Sequence, residues 1–279
     1  MYSLNRDKIL IVLGALLEGQ SIRSVERITG VHRDTIMRWM VRAGSACQKV
    51  HDKVVCNVHL RFVQADEMWS FIGKKDNNFE YQGRVGKDYQ GELWVFIAID
   101  ADSKLVLSYR LGTRTLETSE RFLIDLKQRV SGKFQLNTDG FVAYKEAVER
   151  IFGADMDYGQ LVKLYSGKRI IGATPTPISG QPDLRNISTS FVERNNLTVR
   201  MGSRRFTRKT NGFSKRVENH LAALQLHFAH YNFVRIHKSL RMPPALAAGI
   251  TDHVWTTEEL VGEAIDTFGH PSSQAKIIR

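Results

Sequence analysis

Apolar residues between positions 5 and 18 recur at helical spacing, with Ile9, Leu10, Leu13, Leu16 and Leu17 forming one stripe. Gly19 ends that predicted helix. The next stretch, "SIRSVERITGVHRDTIMRWM", offers Ser21 as an N-cap and places Ile22, Val25 and Ile28 on one face of a short helix. Gly30 supplies a turn, and Ile36 and Trp39 line a second helix. Helix, glycine turn and helix at these offsets fits a helix-turn-helix as well as an ordinary helical hairpin. The polar side of the second helix carries Arg33, Arg38 and Arg42, which favours a helix that reads a DNA groove. Glu26 stands where such motifs often hold a small residue.

Residues 43 to 59 are polar and mixed and read as a linker, after which the period changes to that of strands. "LRFVQADEMWSFI" and "GELWVFIAIDADSK" have strand length, and "KLVLSYRLG" pairs with the second as a hairpin across "DADS". Between the first two lies a polar, glycine-studded loop or ribbon, "GKKDNNFEYQGRVGKDYQG". "TLETSERFLIDLKQRV" is an amphipathic helix, "KFQLNTDG" a short strand, "FVAYKEAVERIF" a helix and "QLVKLYSG" a final strand. "ATPTPISGQPDLRNISTS" holds three prolines and a glycine and is predicted to be a loop. From Phe191 onward the pattern is mostly helical. The expected division is a helix-turn-helix domain over 1–46, a linker over 47–59, an α/β catalytic domain with C-terminal helices over 60–250, and a tail over 251–279.

This element order is that of a ribonuclease H-like domain, a mixed sheet flanked by helices, here behind a small all-α unit. Acids on the first strand, the fourth strand and a late helix of that fold meet at one end of the sheet. Asp66 in "VQADEMWSF", Asp139 in "QLNTDGFVAY" and Glu193 in "STSFVERNNLTVR" sit at or just past apolar stretches in those places. Hard oxygen ligands of this kind hold Mg²⁺ ions about 3.5–4 Å apart in two-metal phosphoryl transfer. Asp100 also follows an apolar strand, but it stands with Asp102 and Ser103 in a predicted turn, which favours such residues. Glu67 adjoins Asp66 and is expected on the opposite face if the strand continues.

Charge and composition narrow the partners. Lysine and arginine total 40 against 29 acids in 279 residues, a net charge of +11, which calls for a polyanion. Cys47 and Cys56 are too few for a disulfide framework or an all-cysteine zinc site, and they read as reduced thiols of a cytoplasmic protein. No apolar run reaches the ~18 residues of a membrane span. Glu18 and the lack of a small-residue cleavage site argue against a signal peptide.

Longer motifs sharpen the reading. "FVERNNLTVR", "RRFTRKTNGFSKRVENH" and "HYNFVRIHKSLRMPPALAAGI" resemble the catalytic and C-terminal segments of the insertion sequence 1 family of bacterial DDE transposases. "QADEMWSFIG" and "NTDGFVAY" are similar to the segments with that family's first and second aspartates. The resemblance spans roughly residues 60 to 250. It implies a ribonuclease H-like core, Asp66, Asp139 and Glu193 as catalytic metal ligands, and two Mg²⁺ ions with Mn²⁺ as a substitute. It further implies cutting of the element's double-stranded DNA ends and joining of the freed 3′-OH to target DNA, by a homo-oligomer on DNA in the bacterial cytoplasm, associated with the nucleoid. Members commonly carry a Cys-rich zinc finger ahead of the helix-turn-helix, whereas this sequence opens on the helical segment.

Residues 200 to 216 hold Arg200, Arg204, Arg205, Arg208, Lys209, Lys215 and Arg216 and no acid, which fits phosphate contact. His220, His227 and His230 fall among Leu221, Leu224, Leu226, Phe228 and Tyr231, so packing or phosphate contact is expected of them. His237 lies between Arg235 and Lys238 within the resembling segment and joins the DNA-contact candidates. Two alternatives stand beside the transposase: a structure-selective nuclease of the same fold, and a helix-turn-helix regulator without catalysis.

Overall fold

The computed structural model describes residues 4–75, 90–154, 156–167 and 169–269; most of the predicted loop or ribbon after β2 and the last ten residues lie outside these. In chain order the elements begin α1 (Arg6–Leu17), α2 (Ile22–Thr29), α3 (Arg33–Val54), β1 (Val58–His59), β2 (Phe62–Ile72), β3 (Gly91–Asp100) and β4 (Val106–Gly112). They continue with α4 (Leu116–Arg129), β5 (Val130–Ser131), β6 (Gln135–Asp139), α5 (Val142–Phe152), β7 (Asp157–Ser166) and β8 (Arg169–Ser179). Helices α6 (Ser190–Gly202), α7 (Val217–Phe233), α8 (Pro244–Ala247) and α9 (Thr257–Gly269) follow. The chain divides into two compact units, Met1–Val54 with Phe71–Gly91 and Thr198–Arg279, and Val55–Ser70 with Glu92–Leu197.

In the first unit, Asn5 caps α1 by accepting the Lys8 N–H at 2.9 Å, and Ile9, Val12, Leu13 and Leu17 form its buried face. Ser21 caps α2 through the Ser24 N–H at 3.1 Å, and Gly30 closes it in the left-handed region at φ 69°. Val25 and Thr29 are the buried residues of α2, while Ile28, expected on the inner face, is 67% exposed. Thr29 lies one full turn beyond Val25 and keeps its hydroxyl satisfied on the Val25 carbonyl at 2.7 Å, so it can occupy the inner stripe. Glu26 accepts the Arg33 N–H at 2.9 Å, which satisfies one of the open donors at the start of α3. A carboxylate at this turn therefore caps the next helix.

Helix α3 runs unbroken to Val54, so residues 47–54, expected as part of a linker, are its last two turns. Ile36 joins Val12, Val25 and Val31 in one buried cluster, and the buried stripe continues through Trp39, Met40, Ala43, Gly44, Cys47 and His51 on a helix that packs against α7 and α9. Gly44 marks the closest approach: a Cβ there would stand 2.9 Å from the Ala222 backbone on α7. The segment expected as a tail contributes α9 to this packing.

The second unit holds a six-stranded sheet in the order β4-β3-β2-β6-β7-β8. Strand β6 runs parallel to β2 and β7, while β3 with β4 and β7 with β8 are antiparallel. The first five strands reproduce the ribonuclease H-like order, with the first strand central and the fourth beside it. Strand β3 is continuously apolar because it is buried along nearly its whole length, and Phe96 on it meets Phe122 of α4 and Tyr144 of α5 at ring distances of 5.8 and 6.3 Å. The proline-rich stretch predicted as a loop forms strand β8 as far as Ser179. Pro175 and Pro177 face Leu161 and Gly159 on β7. Being two residues apart, they turn their missing donors the same way, toward the free edge of the sheet, where a strand tolerates proline.

Candidate metal centre and basic surface

The register Ala65↔Thr138 sets Asp66 on β2 beside Asp139 at the end of β6. Both therefore lie at the carboxyl end of a parallel strand pair, where open α/β sheets hold ligands. The Phe141 N–H binds Asp139 Oδ1 at 2.9 Å and fixes that carboxylate at the turn into α5. The late helix is placed from the sheet: Gln64 Oε1 accepts the N–H groups of Phe191 and Val192 at 2.8 and 3.2 Å, at the start of α6. One turn into α6, Asn196 donates to Asp66 Oδ2 at 2.8 Å.

Ligand oxygens of Asp66, Glu67 and Asp139 all lie within 4.8 Å of one another. Glu67 was expected on the opposite face from Asp66, yet one of its oxygens belongs to this group. Strand β6 stops at Asp139 while β2 continues to Ile72, so no β6 residue stands opposite Glu67. Glu193 is not a member of that group of three. Its Oε1 pairs with Lys163 Nζ of β7 at 2.8 Å and accepts the Thr189 hydroxyl at 2.9 Å. Lys163 and Asn196 carry no sequence signal of their own, since they meet the acids only through the sheet and the α6 cap.

Charge crowding is visible in the acidities. Burial raises the Asp66 carboxyl to about 7, with Asp139 and then Glu193 adding to the rise and Lys163 opposing it. Burial likewise lifts Glu67 to about 7, with Asp139 and Asp66 adding to it against the pull of Arg114. Burial pulls Lys163 down, but its hydrogen bond to Glu193 and the charges of Glu193, Asp66 and Asp139 outweigh this and leave it raised. Such a set suits a divalent cation bound through hard oxygens, and among the described residues the buried Glu67 Oε2 has no hydrogen-bond partner.

Asp100 belongs to its turn. It accepts the Ser103 N–H at 2.8 Å and the Asp102 N–H at 3.3 Å, and it is buried. If the acids cut DNA with a divalent ion, as the sequence implies, Asp100→Asn is expected to leave that cleavage within about tenfold, ~1.4 kcal/mol on the barrier. The same change should cost ~1–2 kcal/mol of stability by weakening two acceptors, which urea unfolding measures.

The basic candidates fall in the first unit. Arg33, Arg38, Arg204, Arg208, Lys209, Lys215, Arg216, Arg235 and Lys238 are exposed; Arg42, Arg200, Arg205 and His237 are partly buried. Arg42 lies over the Trp39 ring at 5.3 Å. Burial lowers Arg205 to about 10; the same effect, then Arg208, lowers Arg200 to about 10. Arg204, Arg205 and Lys215 border a cavity of about 530 Å³ that Ser21 and Arg23 at the start of α2 also line. His237 receives or gives a hydrogen bond with Ser239 at 3.1 Å. His220, His227 and His230 are buried in the packing of α7, and burial drives His220 and His227 down to about 3, so both are neutral. Arg33→Ala with Arg38→Ala in the full chain is expected to weaken DNA binding and to lower the salt slope by about one per lost phosphate contact. Unchanged affinity and slope in a fluorescence titration at several salt concentrations would remove both residues from the interface.

No family model matches the chain. The insertion element iso-IS1n protein InsB of Shigella dysenteriae is 28% identical over 157 residues, covering 56% of this chain and 86% of that protein. Among solved structures, the Mos1 mariner paired-end complex with Mn aligns at 16% identity and a TM-score of 0.20, covering 50% of this chain and 55% of that one. This chain thus spans about half the length of that Mos1 chain. A piggyBac transposase synaptic complex with hairpin DNA aligns at 10% identity and a TM-score of 0.38, covering 99% and 74%. Scores this low leave the fold to rest on the topology of the sheet itself.

Proposed function

We propose that this chain is the transposase of a bacterial insertion sequence, cutting the element's DNA ends and joining the 3′-OH to target DNA. The observation that carries it is the convergence of Asp66 and Asp139 where the parallel pairing of β2 and β6 ends, with α6 and Glu193 anchored beside them by Gln64. The relationship to an insertion element protein supports the same reading. Asp66, Asp139 and Glu193 would hold two Mg²⁺ or Mn²⁺ ions, which would supply Lewis-acid stabilisation of the phosphoryl oxygens and lower the pKa of the attacking water.

The chain's own part is positioning. Asn196 orients the Asp66 carboxylate, the Phe141 N–H orients Asp139, and Thr189 orients Glu193. In the first step a water oxygen attacks the phosphodiester and the 3′ oxygen leaves as a hydroxyl; in the second that hydroxyl attacks a target phosphodiester, whose own P–O3′ bond breaks so that the target strand's 3′ oxygen leaves as a hydroxyl. The exposed arginines and lysines of the first unit hold the duplex by its phosphates. A homo-oligomer would bring two ends to one reaction. Among the described residues no helix is long and apolar enough to cross a membrane.

Incubating the protein with the DNA ends that flank its own gene, with Mg²⁺ or with chelator, tests the proposal. The expected products are 3′-OH ends and strand-transfer products that need the ion. Cleavage without joining would favour a nuclease, and ion-independent binding alone a regulator.

Lys163 provides a second test. Its ammonium competes with a divalent ion for Glu193, so Lys163→Gln should lower the Mn²⁺ concentration for half-maximal thermal stabilisation about tenfold, ~1.4 kcal/mol. A requirement for more Mn²⁺ than wild type would show that Lys163 assists the ion instead.

A further inference from the structure

We infer that Glu67 is a fourth carboxylate of the metal site and offers its Oε2 as a ligand to a hard divalent cation. This inference rests on the divalent-ion reading of the cluster above.

An arginine beside a buried glutamate ordinarily reads as a structural ion pair. Such a pair is strongest when the guanidinium fork spans both carboxylate oxygens. Arg114 does otherwise: Nε donates to Glu67 Oε1 at 2.6 Å, and the Nη2 contact falls on that same Oε1. The second oxygen is left over. Oε2 is buried and has no hydrogen-bond partner among the described residues, and the Glu67 side chain is only 1% exposed, which keeps bulk water from satisfying it. An orphaned carboxylate oxygen in such a place is costly unless something binds it.

Arg114 is held independently of the glutamate. Its guanidinium lies over the rings of Trp94 and Phe141 at 4.8 and 4.2 Å. It therefore fixes Oε1 like a clamp and leaves Oε2 as the remaining donor. The three side chains whose ligand atoms already converge are Asp66, Glu67 and Asp139, whereas Glu193 is engaged with Lys163. Three carboxylates at this separation, one of them clamped through a single oxygen, match the oxygen-only coordination of Mg²⁺ or Mn²⁺.

The test is metal uptake by the full chain without DNA. Wild type should bind Mn²⁺ by calorimetry and melt at a higher temperature with it; Glu67→Gln should bind at least tenfold more weakly. Should that variant not fold, Glu67→Asp keeps the charge for Arg114 and draws the carboxylate back by one methylene, and the same tenfold loss is expected. Glu67→Cys should reverse the metal preference, with Cd²⁺ stabilising it more than Mn²⁺ does and more than Cd²⁺ stabilises wild type. Mn²⁺ binding by Glu67→Gln equal to wild type, or no Mn²⁺ uptake by wild type, overturns the inference. Protein that takes up Mn²⁺ through Glu67 yet neither cuts nor joins DNA keeps the inference and removes the transposase reading.

Discussion

Glu193→Gln is expected to reduce both cleavage and joining by about a thousandfold or more, ~4 kcal/mol on the barrier, while DNA binding stays at the wild-type level. Both steps fall together if, as proposed, one set of carboxylates serves both. Stability should tell the same story from the other side. The Lys163–Glu193 pair is partly exposed, with side chains 29% and 43% accessible, and such pairs contribute about 0–1 kcal/mol. Glutamine keeps an oxygen for the Thr189 hydroxyl, which sits one turn earlier. It also removes one negative charge from beside Asp66. The metal-free melting temperature should thus be unchanged or slightly raised, and the Mn²⁺-induced rise should be largely lost. A variant that melts early and still cuts DNA would make Glu193 a structural residue and place the third acid elsewhere.

The strands were legible because burial leaves a nearly continuous apolar run in β3 and apolar residues between the polar ones of β2, and because turns at Asp100–Ser103 and Gly140 punctuate them. The two aspartates were legible for the same reason, since each ends or interrupts a run of buried residues. Strand β8 was not. Its prolines read as loop, and only its place at the sheet edge makes them compatible with pairing. The reach of α3 was hidden as well: "KVHDKV" looks polar, yet His51 turns inward on a helix stabilised by tertiary contacts with α7 and α9.

The site shows where local pattern reaches its limit. Alternation along β2 sends Glu67 away from Asp66, and that rule holds for the backbone. It does not keep the carboxylate apart: β6 has ended, and one Glu67 oxygen lies with those of Asp66 and Asp139. Arg114, Lys163 and Asn196 are ordinary surface residues in sequence. They become partners of the acids only when the sheet order and the Gln64 cap on α6 bring them together.

Asp66→Asn combines chemistry and titration in one measurement. The Asp66 carboxyl goes from an ordinary value of 3.8 up to about 7 in the folded chain, and Glu67 from 4.5 to about 7. Between these limits the unfolded chain has released protons that the folded chain still holds. Fewer protons bound by the unfolded state means that stability falls as pH rises. The contribution is fully present below about 4 and is lost as pH climbs through about 7. Metal-free wild type should therefore melt progressively lower from pH 5 to pH 8. A divalent ion reverses the trend, because it binds the ionised carboxylates and displaces their protons; it should stabilise strongly at pH 8 and little at pH 5. Asp66→Asn removes the group with the larger rise and keeps an oxygen for the Asn196 donor. Its metal-free melting profile should be flatter, with a higher melting temperature than wild type at pH 8. Its ion-induced rise should vanish, and DNA cleavage should drop by about a thousandfold or more, ~4 kcal/mol. Melting scans at three pH values, with and without Mn²⁺, read all of this. A wild-type pH slope in Asp66→Asn, or an intact response to Mn²⁺, would detach Asp66 from the metal centre.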